Sequence, residues 1–134
     1  MTNNTIQFGE HLTIDGYNGV RELLDSKEIV LSVLNDLSKI LGMTALSEAT
    51  VVSAPDNGLK DPGGWSGFMI IAESHIAIHT FPKRGFVSAD IYTCKNGMET
   101  QVVVDYFTAT FKLSDIEINF IKRGTRYPLE NLLN

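Results

Sequence analysis

The run Ser66-Gly-Phe-Met-Ile-Ile-Ala-Glu73-Ser74-His75-Ile-Ala-Ile-His79-Thr-Phe-Pro82, followed by Asp90-Ile-Tyr-Thr-Cys94, gathers two serines, two of the three histidines, a glutamate and the single cysteine. Three chemistries can be weighed on residue type and spacing. A serine hydrolase built on Ser74 or Ser66 would need Gly-x-Ser-x-Gly in a strand-turn-helix context, and Gly64-Trp-Ser-Gly67 is not that motif. A metal site from His75, His79 and Asp90 suffers from strand geometry, because histidines four apart on a strand lie about 13 Å apart, too far for one ion. Cys94 with a histidine base is a nucleophile pair in principle, but spacing alone signals it weakly. His11, like His75, reads as structural, and Asp90 as a hydrogen-bonding support at the end of its strand.

These groups must be held by strands. Gly9-Glu-His-Leu-Thr-Ile-Asp15 alternates apolar and polar residues and predicts a first strand with Leu12 and Ile14 inward. From Asp25 the spacing turns helical: Ile29, Val30, Val33, Leu34, Leu37, Ile40 and Leu41 form one stripe, with Asp25 as cap, Glu28 three positions on and Gly42 as the stop. A second strand is expected over Thr44 to Ser53. A turn-rich, exposed loop follows, from Ala54 to Gly58 and on through Asp61-Pro-Gly-Gly64.

Gly67 to Ala72 is a continuous apolar run of the kind found in buried central strands. Ile76 to Phe81 follows it, Pro82 and Gly85 make a turn, and Phe86 to Cys94 is again strand-like up to Asn96-Gly97. Glu99 to Leu113 carries β-branched residues that favour a strand, but Val103, Phe107 and Phe111 at four-residue spacing, and the length, favour a helix. Asp115 to Ile121 alternates as a last strand with Ile116, Ile118 and Phe120 inward, and a mostly polar tail runs from Arg123 to Asn134. The expected fold is α+β: a two-layer sandwich in which a mostly antiparallel sheet packs two helices on one face.

The 134 residues suit one domain, and 43% hydrophobic with 20% charged residues is the composition of a chain that folds. Eleven basic against sixteen acidic side chains give a net charge of −5 and a pI near 5.1, which argues against duplex nucleic-acid binding by phosphate neutralisation. No secretory signal opens the sequence and no apolar stretch approaches the roughly 20 residues of a membrane span, so a soluble, cytoplasmic protein is expected. One cysteine forms no intramolecular disulfide.

Taken together, Glu73-Ser-His-x-x-x-His-Thr-Phe-Pro82, with Ser66-Gly67 eight residues before Ser74 and Asp90-x-x-x-Cys94 ending twenty after it, closely resembles the short prokaryotic S-adenosylmethionine decarboxylases. Gly9-x-His-Leu-Thr-Ile-Asp15 also looks like that family's first strand, so the likeness spans most of residues 8 to 97. The resemblance implies a proenzyme that cuts itself between Glu73 and Ser74 into a β chain, 1–73, and an α chain, 74–134. Ser74 attacks the preceding carbonyl, the ester undergoes elimination, and hydrolysis leaves a pyruvoyl group at the new terminus as the cofactor, with no metal. That group forms a Schiff base with an α-amine, as pyridoxal phosphate does elsewhere.

By motif position, His79 is the histidine that takes a proton during processing, Ser66 the serine that assists it, and Cys94 the acid that reprotonates the substrate α-carbon. Phe81, Ile76 and Lys83 fall at substrate-contacting positions, and Trp65 is the substrate-contacting stand-in from a position beside the family's stacking aromatic. Ser74 and His79 are five apart, so a regular strand sends them to opposite faces and a bend or break must relieve this. The resemblance also implies a homodimer of cleaved protomers acting on a small amino-acid-type substrate in polyamine synthesis.

Two departures bear on substrate. Better-known members carry a ribose-holding glutamate where this chain has Lys83, and an adenine-stacking aromatic in the region aligned with Leu59 to Trp65. Lysine near a sulfonium adds repulsion unless a carboxylate such as Asp61 screens it. Arginine or ornithine, decarboxylated by relatives through the same group, is therefore the alternative substrate. An uncleaved binding subunit is the alternative from a different class.

Overall fold

The structure, a computed structural model, describes residues 4–60 and 62–133, so Asp61, the start of the N-terminal stretch and the last residue of the tail lie outside it. Among the described residues nine strands and three α-helices follow in the order β1 (Thr5–Ile6), β2 (Gly9–Tyr17), α1 (Arg21–Leu24), α2 (Lys27–Ile40), β3 (Thr44–Ala45), β4 (Thr50–Ala54), β5 (Gly64–Ala72), β6 (Ser74–Phe81), β7 (Phe86–Thr93), α3 (Thr100–Phe111), β8 (Asp115–Arg123) and β9 (Tyr127–Pro128). An antiparallel sheet runs β3-β5-β6-β7-β2-β8, with β4 also paired to β5, and β1 pairs with β9 apart from it.

Register sorts the side chains into two faces. Leu12 stands opposite Ile91 and Ile14 opposite Ala89, while Ile76 and Ile78 flank the same pair from the other side. This row is buried against Val30, Val33, Leu34 and Leu37 of α2 and Val103, Phe107 and Phe111 of α3. Gly67 is where α2 seats on β5: a Cβ there would lie 3.0 Å from Leu34 Cδ1 and 3.1 Å from Ile78 Cγ2. The α+β reading, the helix over Thr100–Phe111 and the strands of the central run all agree with this architecture. No helix among the described residues is long and apolar enough to cross a membrane.

Five local expectations are corrected. The cap of α2 is Ser26, whose hydroxyl accepts the Ile29 N–H at 3.1 Å; Asp25 instead accepts the Trp65 indole N–H. The strand expected over Thr44 to Ser53 is split into β3 and β4, because the Leu46 and Ser47 amides both turn to the Ile70 carbonyl. The short α1 precedes α2 and was not expected.

On β8 the register puts Ile118 and Phe120 on the helix side, yet they remain 46% and 42% exposed because β8 is the sheet's edge. The apolar run of β5 is likewise buried on one side only: Met69 and Ile71 enter the core, whereas Phe68 and Ile70 are exposed on the helix-free face beside Val52 of β4.

Candidate active site

The helix-free face of the sheet carries the polar side chains singled out by the sequence. Odd positions of β6 place His75, Ala77, His79 and Phe81 there, even positions of β7 place Phe86, Ser88, Asp90 and Tyr92, and β5 adds Ser66 and Phe68. They fall into two groups at opposite ends of β6.

At one end lies the Glu73-Ser74 bond. The Glu73 N–H donates to Cys94 Sγ at 3.3 Å, and Ser74 stands in register with Thr93, the residue before Cys94. Ser74 itself has φ 150, a backbone region that costs a side-chain-bearing residue of order 1–3 kcal/mol. A hydroxyl on a residue of strained φ, with a thiol at the N–H of the residue before it, fits a group made from Ser74.

At the other end, Ser66 and His79 are register partners with Ser66 Oγ 2.8 Å from His79 Nδ1. When Nδ1 donates to the hydroxyl, Nε2 keeps its lone pair, as a base requires. Five residues of strand separate Ser74 from His79, roughly 16 Å at about 3.3 Å per residue. Within one chain the two groups therefore do not meet.

Between them is a network the sequence showed only in pieces. Asp90 Oδ2 accepts from His11 Nε2 at 2.8 Å and from His75 Nε2 at 2.9 Å. Arg123 lies 2.7 Å from His11 Nδ1 and 4.5 Å from the centre of the Tyr92 ring, which stacks on His11. The two histidines and Asp90 have donor atoms within 4.8 Å of one another, close enough for one ion. Arg123 can only donate, so it makes His11 Nδ1 an acceptor and Nε2 a proton donor to Asp90. In this arrangement His11 offers an ion no lone pair, and the trio is a hydrogen-bonded brace for His75, which also stacks on Phe68. Strand alternation could have put His11 and Asp90 on this face, but the register that joins them, and the distant Arg123, are not visible in a sequence.

The expected substrate contacts divide. Phe81 lies on the open face, 5.5 Å from Phe86, which is 5.4 Å from Tyr17. These rings, with Lys60, Pro62 and Arg84, line an open groove of about 480 Å³. Tyr17 donates to Glu117; that bond first, then burial and the charges of Glu117, Asp15 and Asp115, push its phenol up to about 12. The ring thus stays neutral at ordinary pH. Lys83 is exposed on the Pro82–Arg84 turn beside this groove. Ile76 is fully buried and faces the helices, and Trp65 packs against the same core with its indole N–H on Asp25 at 3.1 Å. Neither joins the open-face groups.

A family model described as S-adenosylmethionine decarboxylase matches residues 10–124. The S-adenosylmethionine decarboxylase proenzyme of Thermodesulfovibrio yellowstonii is 34% identical over 116 residues, covering 87% of this chain and 81% of that protein, and the proenzyme of that name from Brevibacillus brevis is 30% identical over 117 residues, covering 87% and 83%. The crystal structure of the adenosylmethionine decarboxylase from Aquifex aeolicus superposes with a TM-score of 0.77 at 25% identity, covering 94% of this chain and 98% of that one. With the match running through both ends of β6 and the Cys94 strand, the chain belongs to the S-adenosylmethionine decarboxylase family.

Proposed function

We propose that this chain is a pyruvoyl-dependent S-adenosylmethionine decarboxylase, made as a proenzyme, cut between Glu73 and Ser74, and active as a homodimer. The observation that carries the reading is the contact of the Glu73 N–H with Cys94, which puts the expected acid one peptide bond before the processing bond. The relatives' names favour S-adenosylmethionine over arginine or ornithine, and an intact Glu73, Ser74, His79 and Cys94 set disfavours an inert subunit.

In processing, Ser74 Oγ attacks the Glu73 carbonyl carbon, exchanging the amide for an ester and freeing the Ser74 amine. A base removes the Ser74 α-proton, Glu73 leaves as a carboxylate, and water then displaces ammonia from the remaining enamine end. His79, steadied by Ser66, is that base. The pyruvoyl group so formed supplies covalent capture of a substrate amine and a sink for the electron pair left when CO₂ departs. Cys94 holds at Sγ the proton that the substrate α-carbon receives.

The distance along β6 supports a reading in which His79 and Phe81 serve a second chain's Ser74. A two-fold axis near Ala77, the small residue between His75 and His79, brings each His79 to the Ser74 end of the other chain's β6 if the helix-free faces are apposed. Exposed Val52, Phe68 and Ile70 on that face favour such burial. The Tyr17, Phe81 and Phe86 rings then offer the adenine a stacking surface. The product is the aminopropyl donor for spermidine, and a cytoplasmic location suits a lone reduced cysteine.

The test is CO₂ release from S-adenosylmethionine, arginine and ornithine: release from the first alone supports the reading, and release only from an amino acid overturns the substrate assignment. Cys94→Ala should still cut itself but lose about 10²–10⁴-fold in kcat, the usual worth of a positioned acid; kinetics equal to wild type would remove the role. Lys83→Glu should raise kcat/KM for S-adenosylmethionine about 2–5-fold at low salt, as expected for an exposed charge contributing up to about 1 kcal/mol. An unchanged or lower value would show that Lys83 does not oppose the sulfonium.

A further inference from the structure

The segment after β7 crosses the end of the sheet. It begins on the helix-free face, where Cys94 meets the Glu73 N–H, and ends on the helix side, where Met98 leads into α3. Lys95, Asn96 and Gly97 in its middle are exposed; the Lys95 N–H donates to Thr93 Oγ1 at 3.0 Å and its ammonium to the Leu41 carbonyl at 3.5 Å, which hold the first residue after Cys94 but neither Asn96 nor Gly97.

Its shape is imposed by the start of β2. Glu10 is 7% exposed, and its carboxylate accepts two backbone amides of the segment, Gly97 N–H at Oε2 (3.0 Å) and Met98 N–H at Oε1 (2.8 Å). Gln7 Nε2 donates to Asn96 Oδ1 at 2.6 Å and to the Gly9 carbonyl at 3.1 Å, while Asn96 Nδ2 donates back to the Gln7 carbonyl at 2.9 Å. Between the two, Gly9 lets β2 lie directly on the Cys94 strand: a Cβ there would come within 2.0 Å of the Thr93 carbonyl oxygen and 2.9 Å of Cys94 Cα. Three neighbouring residues thus grip the segment from the helix side, its middle and its origin.

We propose that Gln7 and Glu10 are positioning residues that clamp the Cys94 segment and fix where the thiol points. This rests on Cys94 being the proton donor of the proposed reaction. An acid acts only within hydrogen-bond reach of its target, about 2.6–3.2 Å, and a displacement of about 1 Å can cost on the order of 100-fold. A buried carboxylate that spends both oxygens on the amides of an exposed, glycine-containing segment supplies that precision without touching substrate. Its charge makes these bonds stronger than neutral side-chain acceptors would.

Because Cys94 is the one cysteine of the chain, iodoacetamide reports its accessibility without any assay of turnover. In Glu10→Gln, one amide loses its acceptor to an amide NH₂. The native, cut protein, held well below its melting temperature, should be alkylated at Cys94 at least fivefold faster than wild type, and kcat should fall at least tenfold with KM within twofold. Gln7→Ala, a partly exposed change that spares the core, should show the same pattern at about threefold. Alkylation and kcat within twofold of wild type in both variants would overturn the clamp, even with a lower melting temperature, since the bonds would then serve stability alone. If Glu10→Gln does not fold, Gln7→Ala decides by the same two readouts. Wild-type protein that releases no CO₂ would count against the decarboxylase reading and with it the positioning role.

Discussion

Ser74→Ala is expected to leave one uncut chain of 14.8 kDa that releases no CO₂ from S-adenosylmethionine. Alanine has no oxygen to attack the Glu73 carbonyl, so neither the ester nor the group derived from it can form. The fold should survive, because the change removes one hydroxyl from a half-buried position at the start of β6 and leaves the core row of Ile76 and Ile78 intact. Gel electrophoresis, circular dichroism and CO₂ release on the same preparation separate loss of processing from loss of structure. A folded variant that still cuts and still decarboxylates would end the account of Ser74 as cofactor precursor.

His79→Ala should process at least about 100-fold more slowly, the lower range for loss of a positioned base. The larger effect comes on mixing. Ser74→Ala chains, uncut alone, and His79→Ala chains, cut only slowly alone, should restore rapid cleavage when unfolded and refolded together, because a mixed dimer holds Ser74 on one chain and His79 on the other. Random pairing makes about half of the dimers mixed, and only the His79→Ala chain in them should be cut. No cleavage on mixing, with mixed dimers shown to form, would mean that His79 acts within its own chain and that β6 must bend to allow it.

Much of this arrangement was legible in the sequence because it depends on local periodicity. The two-residue alternation of Leu12 and Ile14 and the four-residue spacing of Val103, Phe107 and Phe111 each have one geometry that buries them, and both do so. What was not legible depends on how distant segments meet. Ser26 and Asp25 are equally able to cap α2, and only the contact of Asp25 with Trp65, forty residues away, frees the role for Ser26. The continuous apolar run of β5 reads as a strand covered on both faces, but a single chain covers one; the second cover, on the proposed reading, is another copy. Ile118 and Phe120 alternate correctly and still lie half-exposed, since position at the sheet edge is a property of topology.

The site divides in the same way. The motif named Ser66, Ser74, His79 and Cys94, and the structure pairs Ser66 with His79 and Cys94 with the Glu73 amide. The resemblance offers Ile76 as a contact and Trp65 as a neighbouring stand-in, and strand alternation turns both to the helix side. One acidic residue in a strand carries no signal of a role for Glu10. Its role rests on two amides nearly ninety positions away, beyond any spacing rule.

The intact mass of the purified wild-type protein tests the central claim most directly. Two chains are expected, 1–73 ending in a free carboxylate at Glu73 and 74–134 lighter by one ammonia than a fragment beginning with serine. A single chain of 14.8 kDa, or a second fragment that begins with an unmodified Ser74, would contradict it.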